Sequence, residues 1–147
     1  MEININVIDF FRACLETQDG KILYFLTLIA LTMIVDFLTG TVAAKVNNGI
    51  EFKSKEGING ILRKISSMLL MIIFIPFAVA IPGDVGVGLV VILYIGYELM
   101  ELKSVIENLE KMGVEVTIFK SFVGKAEDRL GIEEHDPRKR KKESEGK

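Results

Sequence analysis

The chain has 147 residues, half of them hydrophobic, with a net charge of −2 and a mean hydropathy of +0.37. The apolar residues are massed between Ile22 and Met100 instead of being spread in periodic stripes, which excludes an ordinary water-soluble domain and points to an integral membrane protein. Nearly all the charge lies in the first 21 residues, a stretch near residues 45–64, and everything after Glu98, so the net value says little about partners.

Residues 1–20 form an N-terminal amphipathic segment. Ile5, Ile8, Phe11, Cys14 and Leu15 recur near helical spacing, while Asp9, Arg12 and Glu16 fall largely elsewhere, as expected of a short helix lying in a membrane interface. Asp9, Glu16 and Asp19 precede the first apolar run, which is unlike the positive leader of a cleaved signal peptide, so that run is expected to remain as an anchor. Cys14 is the only cysteine and cannot form an internal disulfide.

Residues 21–100 are expected to form a membrane domain. Its first span is residues 22–44, about 34 Å long as a helix against a hydrocarbon core of about 30 Å. Asp36 is the one charge inside it. A carboxylate in a span costs roughly 2.5–3.5 kcal/mol on insertion scales. It therefore marks either a pore-lining or helix-contact position, or a protonated or snorkelling group near the inner interface. Thr39 with Ala43, and Gly40 with Ala44, are small residues four apart, the spacing that lets helix backbones approach in lipid.

Residues 46–64 are polar and rich in Gly and Asn, read as a loop with or without a short interfacial helix. Residues 65–81 are uncharged and make the second span, with Pro76 expected to kink it. Pro82, Gly83 and Asp84 are a strong turn signal, and residues 85–100 make the third span, which carries Gly86, Gly88 and Gly96. Glu98 and Glu101 stand at its inner end, where they either line a lumen or mark emergence into water.

Residues 101–130 read as a cytoplasmic amphipathic helical region. Leu102, Val105, Ile106, Leu109 and Met112 share a face, and Gly113 is suited to end the helix. Residues 131–147 form a basic tail with the composition of disordered chain. The Arg138–Lys142 run is suited to anionic headgroups, and no nucleic-acid partner is expected. Of the 18 Lys and Arg residues, two precede the first span, five lie between the first and second, none lies in the Pro-Gly-Asp turn, and eleven follow the third. The positive-inside rule then gives an N-terminus out and a C-terminus in. No metal-ligand spacing, phosphate loop or nucleophile elbow is present, and the single His135 lies in the tail. No catalytic residue, metal or cofactor is expected.

Three stretches in order resemble the bacteriophage holin family, which includes clostridial toxin-secretion holins. The first is Val35-Asp36-Phe37-Leu38-Thr39-Gly40 with Ala43 and Ala44. The second is the loop around Ser54, Lys55, Gly57, Gly60 and Lys64. The third runs from Tyr97-Glu98 through Glu101, Glu107 and Asn108 to Gly113. The chain departs from the family pattern after Gly113, where Val114-Glu115-Val116 stands in place of the prolines often found there. The resemblance implies a non-enzymatic protein of the bacterial cytoplasmic membrane. Such a protein assembles with copies of itself into lesions that release an endolysin or a toxin. A selective channel or transporter, an antiholin and a membrane-tethered interaction protein are the alternatives the residues leave open. The expected fold is all-α, with three transmembrane helices, an N-terminal interfacial helix and a C-terminal cytoplasmic amphipathic helix.

Overall fold

Asn6 starts the first helix by accepting a hydrogen bond from the Ile8 amide at 3.2 Å, so α1 runs Val7–Glu16. The computed structural model describes residues 6–46 and 54–132. Residues 1–5, 47–53 and 133–147 lie outside it, and with them His135, the Arg138–Lys142 run, most of the tail, and the side chains of Ser54 and Lys55. After Thr17 the chain turns into α2, Gln18–Val46, with the Thr17 hydroxyl accepting from the Gly20 amide at 3.0 Å. Phe11 of α1 meets Tyr24 of α2 edge to face, ring centroids 5.9 Å apart.

Two further long helices follow: α3, Ser54–Ala80, and α4, Val85–Lys111. Among the described residues every element is helical, and α2, α3 and α4 are each long and apolar enough to cross a membrane. The protein is therefore a multi-pass membrane protein in its architecture. Pro82, Gly83 and Asp84 make the tight turn between α3 and α4, with Gly83 at a φ of 73°. Pro76 sits inside α3 without ending it.

The stretch 46–64, read from composition as a loop with or without a short interfacial helix, is helical from Ser54, and residues 54–64 form the first three turns of α3 itself, not a separate helix. Ile58, Ile61, Leu62 and Ile65 carry the reason. They fall at helical spacing on an exposed apolar face, and glycine is far better tolerated in helices that border lipid than in soluble ones. Likewise, α4 does not stop where its sequence turns polar but continues unbroken to Lys111.

At its end the Val114 amide bonds the Leu109 carbonyl at 3.1 Å and the Gly113 amide bonds that of Glu110 at 2.9 Å. This closure requires the φ of 85° that Gly113 supplies. The chain then reverses into α5, Thr117–Leu130, which packs back along α4: Val116 and Val123 lie with Leu99 and Ile106 in one apolar cluster. Ile132 reaches as far as Gly96, where an added Cβ would stand 3.2 Å from its Cδ1.

A second apolar cluster, centred on Ile29 and Tyr94 at 0% exposure, joins α2, α3 and α4 through Ile22, Met33, Met71, Ala78 and Val90. At Gly86 the backbones of α3 and α4 approach closely: a Cβ there would fall 2.2 Å from the Ala78 carbonyl oxygen. Small residues permit such contact, and in lipid this packing, more than hydrophobicity, holds helices together.

Candidate functional site: a buried polar network among the three spans

The outward faces of the three long helices carry Leu, Ile, Val and Phe, and most of their charged groups that lie at membrane depth point inward. Thr32 and Asp36 are one helical turn apart on α2 and share its buried face. Glu98, Glu101 and Asn108 are buried on α4, at 6%, 7% and 8% exposure. Lys64 of α3, partly buried, reaches between them.

Lys64 is the hub. Its ammonium lies 3.0 Å from Asp36 Oδ2 and also donates to Glu101 Oε2, so one cation on α3 bridges carboxylates on α2 and α4. The other Asp36 oxygen accepts from Asn108 Nδ2 at 2.8 Å, and the same amide lies 3.3 Å from the Asp36 backbone carbonyl. Lys111 extends the chain of contacts, donating to Asn108 Oδ1 at 3.5 Å. Asp36 thus has an ionic partner on α3 and an amide partner on α4, which is how a buried carboxylate is made tolerable.

Thr32 meets Glu98 through a 2.7 Å contact between Oγ1 and Oε1, and Glu98 Oε2 is buried without a hydrogen-bond partner. One helical turn before Glu98, the Tyr94 hydroxyl donates to the Met71 carbonyl at 2.7 Å and ties α4 to α3. At 1.5 Å per residue, Glu101 lies about 24 Å along α4 from Val85. Beyond that level α2 still presents exposed Phe37, Leu38 and Val42, so the network lies within the apolar band.

The sequence-selected residues divide clearly. Asp36, Lys64, Glu98, Glu101 and Asn108 are brought together. Glu98 and Glu101 are buried against α2 and α3 and do not face outward. Gly40 faces the same chain's Asn108, with a Cβ position 3.3 Å from Nδ2, and Ala43 is buried at 2% exposure. The small-residue face of α2 is thus occupied inside the chain. Thr39 joins the edge of the network, donating to the Val35 carbonyl at 2.9 Å and accepting from Asn108 Nδ2 at 3.4 Å, and Ala44 is half-buried. Gly57 and Gly60 lie within α3, and Gly60 has open space around it. Glu107 is exposed and borders a groove between α4 and α5 with Glu110, Lys111, Lys120 and Glu127. Across that groove Lys120 pairs with Glu110 at 2.6 Å.

Thr32 and Tyr94 were not among the selected residues. Thr32 was detectable, since it precedes Asp36 by one helical turn. No catalytic constellation is formed, and no group of three or more His, Cys, Asp or Glu suited to a metal occurs among the described residues.

The sequence profile of the bacteriophage holin family matches residues 13–126, which takes in all three spans and most of α5. The chain belongs to the bacteriophage holin family. Three curated relatives are named antiholins. Those of Bacillus phage B103 and Bacillus phage phi29 are each 34% identical over 105 residues, which is 71% of this chain and 78% and 79% of theirs. That of Bacillus phage PZA is 33% identical over the same length. No solved structure matches. This holin-family protein thus has three long apolar helices packed around a buried polar network.

Proposed function

We propose that the protein is a holin: it accumulates in the bacterial cytoplasmic membrane, associates with copies of itself, and opens lesions through which an endolysin or a toxin passes. The observation that carries the reading is the inward-facing network of Asp36, Lys64, Glu98, Glu101 and Asn108 within a family member of three spans. A bundle that hides its polar groups is silent in lipid, and the same groups are available to face water if the helices repack between copies. Lys64 near the start of α3 sits beside Asp36 of α2 and Glu101 of α4, so the beginning of α3 and the polar half of α4 lie at the same end of the bundle. Together with the positive-inside rule this supports an N-terminus out and a C-terminus in.

The relatives' names favour a second reading, an antiholin. There the network stays closed and the chain restrains a lesion-forming partner. Inducible expression in bacteria separates the two. A holin causes abrupt lysis only when an endolysin is co-expressed. An antiholin causes none with endolysin alone and delays lysis by a co-expressed holin. Unchanged growth and unchanged timing in all arms refutes both.

A further inference from the structure

Glu98 lacks what an ionised carboxylate needs. It is 6% exposed, its Oε2 has no partner, and its Oε1 meets one neutral group, the Thr32 hydroxyl. Cations are no closer to hand: Lys64 of α3 is engaged by Asp36 of α2 and Glu101 of α4, two negative charges for one positive. Tyr94 and Tyr97 of α4 lie within one helical turn of Glu98, and the Tyr94 hydroxyl is engaged by the Met71 carbonyl. Lys103, Glu107, Glu110, Lys111, Lys120 and Glu127 face one another in the groove where α5 packs. An ionised Glu98 would add a further negative charge beside Asp36 and Glu101, at a position only 6% exposed and with no cation of its own in contact.

A proton resolves this. As a carboxylic acid, Glu98 donates its O–H to Thr32 Oγ1, and the Thr32 hydroxyl proton turns to the Leu28 carbonyl, 3.0 Å away. Only the neutral Oε2 is left bare, a far smaller penalty than a bare buried charge. We propose that Glu98 is a proton-binding site of the closed bundle: the bound proton seats α4 against Thr32 of α2, and its release to solvent drives the two helices apart. The site does not depend on whether the protein opens lesions or restrains a partner that does.

The test uses the full chain in vesicles of phosphatidylcholine and phosphatidylglycerol. Infrared spectra at neutral pH should contain a protonated-carboxyl C=O band that is lost in Glu98→Gln and kept in Asp36→Asn. Spin labels at exposed Ile34 of α2 and Leu93 of α4, with Cys14 replaced by alanine, report the helix separation. It should lengthen at alkaline pH in the wild type. It should stay at its neutral-pH value in Glu98→Gln, whose amide keeps the bond to Thr32 without a titratable proton. A wild type with no such band, or a band removed by Asp36→Asn and not by Glu98→Gln, overturns the proposal. So does a Glu98→Gln protein already separated at neutral pH, because a neutral side chain of the same shape must replace the protonated acid.

Discussion

Replacing Lys64 with methionine removes the one ammonium shared by Asp36 and Glu101 and keeps the side chain's length and apolar stem. Both carboxylates are at most 10% exposed at the side chain, and Lys64 itself is 23% exposed, so solvent offers limited compensation. Breaking a buried pair by deleting one partner costs about 3–5 kcal/mol. There is also a ceiling. A stranded carboxylate can take up a proton, and doing so from neutral pH costs about 4 kcal/mol from the ordinary carboxylate range. The expected loss is therefore about 3–4 kcal/mol, a factor of several hundred in the folding equilibrium at about 1.4 kcal/mol per tenfold. Reversible unfolding of the purified protein in mixed micelles measures it. Adding Asp36→Asn and Glu101→Gln to Lys64→Met should recover most of the loss, because no charge then remains unpaired. A Lys64→Met protein within about 0.5 kcal/mol of wild type, the scale of an exposed pair, would refute the network as described.

Three further outcomes follow from the packing and the caps. Tyr94→Phe removes the hydroxyl that donates to the Met71 carbonyl and should cost about 0.6–1.5 kcal/mol in the same unfolding assay. Gly86→Ala should destabilise by about 1–3 kcal/mol, because its Cβ meets the Ala78 carbonyl oxygen, whereas Gly88→Ala, with open space around it, should be neutral or slightly stabilising. Outside the spans, the Thr117 hydroxyl and then the Thr117 amide donate to Glu115 and hold its carboxyl below the ordinary range. A lowered value in the folded state means that the contribution is present above the ordinary carboxylate range and is lost as pH falls through the lowered one. The Thr117 amide resonance should follow that titration in wild type and show none in Glu115→Gln.

Much of this architecture is legible in the sequence because lipid imposes simple rules. Length and apolarity marked all three spans, Pro82-Gly83-Asp84 marked the turn between the second and third, and Gly113 marked the end of α4. Asp36 stood out since a lone carboxylate in a span demands a partner. The partner itself was not legible: Asn108 lies 72 positions away and Lys64 sat in a stretch whose glycines and asparagine resembled a loop. The apolar spacing of Ile58, Ile61, Leu62 and Ile65 was the better guide there. Glu98 and Glu101 looked like the place where a helix meets water because their neighbours in sequence are charged. In three dimensions they turn toward α2 and α3. The small face at Gly40 and Ala43 signalled close packing, yet sequence could not say that the surface it meets belongs to the same chain.

The arrangement around Lys64 has a mechanical meaning. A single ammonium serves carboxylates on two different helices, so any displacement of Lys64 is felt at the α2–α3 and α3–α4 contacts at once. The two seams are not equally dependent on it. The bond from the Tyr94 hydroxyl to the Met71 carbonyl holds α3 to α4 independently, so loss of the shared ammonium loosens α3 from α2 more than from α4.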